Sequence, residues 1–249
     1  MNPTIGTILS HKSIRKFEDR SLTNEQIETI VKSAQAASTS SFIQAYSIIG
    51  IKDQQKKEKL AELAGNQTYV EKNGHFFVFC ADLHRHELIS DMEEMDLSEG
   101  LESTEKFMVA LIDTALAAQN ATIAAEALGL GVCYIGGIRN NLEEVCQLLN
   151  IPEKVIPLFG LAVGYPAQSP DVKPRLPFNH IYHEDGYTEN KEVLKKQLEE
   201  YNEIISAYYE KRTNGKRKDT WTEQMAQMLS NPRRKYMKSF IESKGFSIR

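Results

Sequence analysis

The chain has 249 residues, 41% hydrophobic and 26% charged, with a formal net charge of −4 at neutral pH. That is globular composition, with a core large enough for one domain or one domain with an appendage. So slight an acidic balance excludes a general polyanion binder as the default reading, while leaving room for local basic patches.

Ile5, Ile8 and Leu9 share one helical face within 2–10, and the polar cluster His11-Lys12-Ser13-Ile14-Arg15-Lys16 follows. Met-Asn-Pro-Thr at the start lacks the basic-then-apolar order of a secretion signal. Thr23 with Gln26 makes a capping box. Ile27, Ile30, Val31, Ala34 and Ala37 then predict a helix over 24–37. It runs into Ser38-Thr39-Ser40-Ser41, hydroxyl residues that compete with helix hydrogen bonding and favour a loop. Tyr46 to Lys52 reads as a β-branched strand, and Asp53 caps a helix with Leu60 and Leu63 inward. Phe76 to Ala81 is a continuous apolar run, the pattern of a strand buried on both faces. Residues 91–105 hold seven acidic residues with little periodicity and predict a mobile surface loop.

The longest periodic helix spans 104–128, with Phe107, Met108, Leu111, Ile112, Ala115, Leu116, Ile123, Ala124 and Ala127 in register. Its alanines favour the helix and thin it, so that another helix or a flat ligand could approach closely. No uninterrupted apolar run reaches the roughly 20 residues of a membrane helix. Gly129 and Gly131 end the helix. A strand over Val132 to Ile135 stops at Gly136-Gly137, a helix covers 141–149, and Leu158 to Val163 is another buried strand. Four of the eight prolines fall between 166 and 177, a stiff connection. A charged helix over 189–212 carries Leu194, Leu198, Tyr201, Ile205 and Tyr208 as a narrow seam for one partner helix. The basic turn 211–218, Trp221 and two short helices split near Pro232 complete the chain. Cys80, Cys133 and Cys146 are sparse and set in apolar runs, which points to a soluble, cytoplasmic protein without a disulfide framework.

Three clusters carry chemistry. His11, Lys12, Ser13 and Arg15 put one hydroxyl and up to three cationic donors just after a helix. That set suits a phosphate monoester, and equally a solvated basic helix end that complements the macrodipole. Lys173-Pro174-Arg175 sits where a rigid backbone lowers the entropy lost in gripping an anion; as ordinary exposed charges they need no ligand. Tyr134-Ile135-Gly136-Gly137 ends a strand with paired glycines, which either admit a planar ligand to the backbone or simply turn it. Gly129-Leu130-Gly131 is no dinucleotide fingerprint, because Tyr134 stands where the third glycine belongs and a helix precedes it. Cys80, His84 and His86 have ligand-like spacing, but no second Cys/His pair accompanies them, and Cys80 reads as core. No Walker sequence, nucleophile elbow or His-Glu-x-x-His occurs, so hard chemistry falls to a bound cofactor.

Taken in order, His11-Lys-Ser-Ile-Arg15, Ala37 to Gln44, Ala64-Gly-Asn-Gln67, Ala118-Gln-Asn120, Gly129 to Asn140, Pro157-Leu-Phe-Gly160 and Lys173 to Pro177 resemble the FMN-dependent, NADPH-using flavin reductase/oxygen-insensitive nitroreductase family. The resemblance implies an α+β subunit with a central mixed sheet flanked by helices. It implies a core over 1–180 and an extension over 181–249 that wraps the partner subunit of a homodimer and carries the NADPH grip. By the same resemblance the FMN phosphate lies on His11, Lys12, Arg15, Lys173 and Arg175. Ser13, Thr39, Ser40 and Gln67 hold the ribityl chain and ring edge, and the backbone of Tyr134, Ile135, Gly136 and Gly137 runs along the isoalloxazine. Lys12 stands where the family usually has arginine, keeping the charge and losing the planar fork. Ser41 and Phe42 would line the acceptor slot.

The implied reaction is ping-pong hydride transfer from NADPH to FMN and then to a flavin, quinone or nitroaromatic. Arg139, Arg212, Lys216 and Arg217 are candidates for the 2′-phosphate of NADPH, against a turn that is merely solvated. A non-catalytic flavin-binding or redox-sensing protein would share the FMN residues and lack the nucleotide slot. A nucleic-acid binder would rest on the basic turn and Arg233-Arg234-Lys235 alone, against the net charge. No metal and no membrane partner is expected.

Overall fold

The computed structural model describes residues 2–246. Helix α1 (Pro3–Leu9) starts under the Asn2 side chain, which accepts from the Thr4 amide at 2.9 Å, with proline where no amide is needed. Helix α2 (Asn24–Gln35) carries both halves of the Thr23–Gln26 capping box and ends two residues before the predicted Ala37. Strand β1 (Tyr46–Ile51) leads to α3 (Gln54–Leu63), capped by Asp53, and to the single turn α4 (Thr68–Glu71). Strand β2 (His75–Asp82) precedes α5 (His84–Met92), α6 (Ser98–Leu101) and the long α7 (Thr104–Ala127). Strand β3 (Gly131–Ile135), α8 (Leu142–Leu149) and β4 (Val155–Gly164) come next. Helices α9 (Phe178–Ile181), α10 (Lys191–Arg212), α11 (Trp221–Ser230) and α12 (Met237–Ser243) follow the proline-rich connection.

The strands are ordered β1-β2-β4-β3, and every neighbouring pair is antiparallel. The mixed sheet expected is therefore corrected to an antiparallel one. The cause lies after β3, where the glycine turn and α8 keep the chain at the end at which that strand finishes. Strand β4 then returns alongside it, Ile135 opposite Gly160 and Gly131 opposite Gly164. The parallel contact recorded among the described residues is an isolated bridge, with the Ile14 amide donating to the Val132 carbonyl at 2.8 Å.

All of β2 is buried, as its unbroken apolar run requires. Phe76, Val78 and Cys80 face a cluster with Leu60, Leu63 and Val70, covered by α3, α4 and α8. Phe77 and Phe79 face the other way, against Ile30 and Ala34 of α2 and Ala117, Ala118 and Ala121 of α7. A Cβ on Gly160 would run into the Phe76 ring, so glycine there gives that ring its space.

Helix α7 turns its small residues inward. Ala110, Ala117, Ala118, Ala121 and Ala125 are buried, whereas Met108, Ile112 and Leu116 are exposed. Of the large apolar residues in its periodicity, Met108, Ile112 and Leu116 thus mark the outer face while Phe107 is buried, and α2 closes on the alanine side. Among the described residues α7 is the helix long and apolar enough to cross a membrane, with half of that stretch buried inside the protein. Residues 91–105 are not the continuous loop expected. The end of α5, all of α6 and the start of α7 occupy them, because Leu97 and Leu101 reach back to Leu83 and Phe107.

The chain packs as two units, residues up to Pro170 with those from Tyr236 onward, and Asp171–Lys235. The division implied by the resemblance is at 180, within the second unit. Ile241 and Phe246 of the returning segment join Leu83, Phe107 and Leu142 in the first unit's core. In the second unit Tyr201, Ile205 and Tyr209 of α10 are buried with Leu176 and Trp221. The expected Tyr208 packs half-buried against this cluster, and its neighbour Tyr209 is buried within it.

His75 is 3% exposed beside Phe77, and its Nε2 has no hydrogen-bond partner. Burial, with Lys57 and Lys52 nearby, holds its pKa down to about 4. Below about pH 6.5 the unfolded chain takes up a proton that the folded chain refuses. Stability is full above that value and falls as the pH drops toward 4, by about 3 kcal/mol. Denaturant midpoints measured between pH 7 and 4 should show this fall, and His75→Leu should flatten it. An unchanged slope in that variant would acquit His75.

Candidate functional site

In the first unit, the segment after α1 lies along the free edge of β3. The Val132 carbonyl is taken by Ile14, so two residues on, the Tyr134 backbone groups point to the same edge. The Tyr134 side chain is occupied elsewhere. Its hydroxyl accepts from Thr122 at 2.9 Å, and its ring meets Phe159 edge-on. Past Ile135 the chain enters a tight turn over Gly136–Asn140. A Cβ on Gly137 would strike the Ala64 carbonyl and the Gln67 amide. Gln67 donates to the Ala64 carbonyl at 2.7 Å and accepts from the Tyr69 hydroxyl at 2.6 Å. The Arg15 guanidinium stands 6.0 Å from the Tyr69 ring centre. Ser13, Arg15, Gln67, Tyr134, Ile135, Gly136 and Gly137 are thereby brought to one edge.

His11 and Lys12 begin the same segment. His11 Nδ1 lies 2.7 Å from Glu126 Oε1, and Lys12 Nζ donates to the Ser169 hydroxyl at 2.9 Å. Arg139 is half-buried, its guanidinium donating to the Leu158 carbonyl and its own carbonyl accepting from Tyr236 at 2.6 Å. Those two bonds tie Arg139 to β4 and to Tyr236.

Thr39, Ser40, Ser41 and Phe42 form a loop whose shape is set by Asp113, a residue not singled out from the sequence. Asp113 is fully buried on α7 and accepts from the Ser40 amide at 3.0 Å and the Ala45 amide at 3.1 Å. Between those anchors Ser41, Phe42 and Gln44 adopt φ of 48°, 59° and 53°, each costing about 1–2 kcal/mol for a residue with a Cβ. Phe42 projects from the strained loop with 81% of its surface exposed. The signal that could have found Asp113 is its isolation, as the lone charge in the apolar run from Phe107 to Ala118.

In the second unit Lys173 donates to the Tyr209 hydroxyl at 3.0 Å, and Arg175 approaches the Lys173 carbonyl at 3.5 Å. Of the basic turn, Arg212 donates to Tyr208, Arg217 pairs with Asp219 at 2.6 Å, and Lys218 pairs with Glu210 at 2.7 Å. The bond to Asp219 pushes the Arg217 guanidinium up further. Lys216 is exposed.

The spacing of Cys80, His84 and His86 does not converge. Cys80 is in the core, His84 pairs with Glu87, and His86 Nε2 meets the Ile43 carbonyl at 2.8 Å. Among the described residues no group of three or more His, Cys, Asp or Glu side chains is arranged to hold a metal ion. Burial pushes all three thiols up, which leaves them unreactive.

Residues 8–165 match the nitroreductase family model, and residues 173–249 match its C-terminal domain. The chain belongs to the nitroreductase family. It is 56% identical over 247 residues, 99% of each sequence, to a Bacillus subtilis protein named FMN reductase (NADPH). A Staphylococcus aureus NADPH-dependent oxidoreductase is 43% identical over 240 residues, 96% of this chain and 95% of that one. Among solved structures, Bacillus megaterium NfrA1 superposes with a TM-score of 0.98 at 69% identity, covering 98% of this chain and 99% of that one. The NADPH:FMN oxidoreductase of Vibrio harveyi complexed with NAD+ gives 0.89 at 39% identity, covering both chains fully. The nitroreductase-like α+β fold is thus shown, with the antiparallel sheet as its detail here.

Asp113→Ala would strand the buried Ala45 amide and take the acceptor from the part-buried Ser40 amide. The expected loss is about 3 kcal/mol in chemical denaturation, with loop 40–45 newly open to limited proteolysis. Asp113→Asn keeps the shape and one acceptor, so it should lose less. An alanine variant as stable as the parent would show that the loop does not depend on this carboxylate.

Proposed function

We propose that this nitroreductase-family protein is an FMN-dependent NADPH oxidoreductase that passes reducing equivalents in a ping-pong cycle to a flavin, quinone or nitroaromatic acceptor. The observation that carries the reading is the β3 edge. There the Tyr134 backbone, turned to the edge with its carbonyl accepting from the Cys133 thiol at 3.7 Å, runs into the Gly136-Gly137 turn, flanked by Gln67 and Arg15, in a chain so similar to a named FMN reductase. The missing Cβ of Gly137 lets the turn close on the Ala64 carbonyl and the Gln67 amide, which fixes Gln67 beside the edge where a flat ring would lie. His11, Lys12 and Arg15 supply charge-assisted donors for a phosphate, with Lys173 and Arg175 assigned to the same group. Ser13, Thr39, Ser40 and Gln67 are assigned to the ribityl chain and ring edge. FMN supplies the hydride-transfer chemistry when bound. Amides and cations fixed at the edge favour the charge that develops there, while the exposed Phe42 and Ser41 border the slot for the acceptor.

We assign the protein to the cytoplasm and to a homodimer. Support for the dimer comes from Met108, Ile112 and Leu116 on α7 and Ile5, Ile8 and Leu9 on the adjoining α1, an exposed apolar set larger than scattered surface residues. Exposed Ile181, Tyr182 and Tyr187, with Phe178 just before them, give the extension over 181–249 an apolar surface suited to embracing a second subunit. Free, buried thiols are compatible with a reducing compartment.

The purified protein should be yellow, release FMN on denaturation in stoichiometric amount, and lose its flavin absorbance on anaerobic addition of NADPH. A colourless preparation that FMN cannot reconstitute would overturn the reading, and a flavin that NADPH leaves oxidised would favour a non-catalytic flavin protein. Lys216, exposed in the basic turn, is assigned first to the 2′-phosphate, with Arg212 and Arg217 beside it. Lys216→Ala should raise KM for NADPH about tenfold, a loss of about 1.4 kcal/mol, and leave KM for NADH unchanged. Equal effects on both nucleotides would remove Lys216 from that role.

A further inference from the structure

Tyr209 sits near the end of α10, 9% exposed, and three polar groups converge on it. Its hydroxyl accepts from Lys173 Nζ at 3.0 Å and donates to Gln224 Oε1 at 3.3 Å. The direction of that second bond is set by the rest of the amide, because Gln224 Nε2 is committed to the Thr220 carbonyl at 3.1 Å. The phenol proton therefore goes to Gln224, and the oxygen lone pairs are left for the lysine ammonium. Lys173 Nζ is 5.3 Å from the ring centre while only 3.0 Å from the hydroxyl. The ammonium thus lies beyond the ring edge and is held by the oxygen alone.

The ring holds a different cation. The Arg217 guanidinium lies 4.4 Å from its centre, steered by the pairing of Nε with Asp219. The backbone of the basic turn is tied to the same residue. Thr213 Oγ1 donates to the Tyr209 carbonyl at 2.7 Å and accepts from the Arg217 amide at 2.9 Å. One side chain thus orders a cation from the proline-rich connection through its oxygen and a cation from the basic turn through its face. Each would otherwise lose considerable side-chain freedom on meeting a ligand.

We propose that Tyr209 is a positioning residue that serves both phosphate grips, holding Lys173 for the phosphate of FMN and Arg217 for the nucleotide. The inference rests on the functional reading given above. Its two halves come apart by chemistry: removing the hydroxyl releases Lys173 and leaves Arg217 its ring face and its bond to Asp219, whereas removing the ring takes the support of both cations away.

The test titrates flavin-free protein with FMN and, separately, with riboflavin, reading quenching of flavin fluorescence, and measures KM for NADPH after reconstitution. Tyr209→Phe should weaken FMN binding about three- to tenfold, leave riboflavin binding unchanged, and keep KM for NADPH within twofold. Tyr209→Leu should weaken FMN equally and also raise KM for NADPH, with KM for NADH as before. Lys173→Ala separates two failures. If it leaves FMN affinity unchanged, the assignment of Lys173 to the phosphate falls. If it weakens FMN while Tyr209→Phe does not, the positioning role falls and the assignment stands. Equal KM for NADPH in Tyr209→Leu and Tyr209→Phe would overturn the Arg217 half. Should the leucine variant unfold, Arg217→Ala read on NADPH against NADH tests that half, with no change in KM counting against it.

Discussion

Strand β2 has no solvent face, and that single constraint organises the first unit. Phe76, Val78 and Cys80 need cover on one side and Phe77 and Phe79 on the other, so helices must lie on both faces of the sheet. Close cover demands small residues, which α7 supplies as a row of alanines, and it demands that Gly160 yield to the Phe76 ring. Each fully buried aromatic contributes about 1.5–3 kcal/mol relative to exposure. The interior phenylalanines of one strand therefore matter on the scale of the whole protein's net stability, typically about 5–15 kcal/mol.

Asp113 belongs to the same packing problem. The face of α7 that seals the core also carries a carboxylate with no water to solvate it. An unpaired charge there would be prohibitive. Two amides from the ends of one loop satisfy it, and in doing so they close the loop around three residues at positive φ. Core and candidate site are thus joined by one side chain: strain in the loop is held by bonds made at the edge of the core. Removing the carboxylate would release both at once.

Much of this was legible in the residues. The Thr23–Gln26 capping box and the unbroken run from Phe76 to Ala81 placed α2 and β2, since both rest on contacts within a few residues. Strand direction was not legible, because it depends on where the chain goes after Gly137 rather than on β3 itself. The close approach that the alanines of α7 announce is made by α2, whereas the outward place of Met108, Ile112 and Leu116 was not legible, because they share the helix's periodicity with buried Phe107. Leu97 and Leu101 were lost in an acidic stretch for the converse reason, two anchors being too few to set a period. Within the candidate site, glycines and cations announce themselves by type. The Tyr134 backbone edge has no residue signature, and Tyr209 was one residue from the seam the spacing favoured.

The free edge of β3 has a consequence for how the chain avoids its own kind. An open strand edge is a template on which another extended segment can pair, and long flat edges invite aggregation. Here the strand is five residues long and Ile14 closes it at Val132. The length of edge left at Tyr134 is short, and it ends at once in the turn over Gly136–Asn140. A polypeptide arriving there gains too few ladder bonds to stay, whereas a small rigid molecule loses little entropy in covering the same groups. The N-terminal segment is in this sense a stopper, trimming an aggregation hazard down to the size of a ligand.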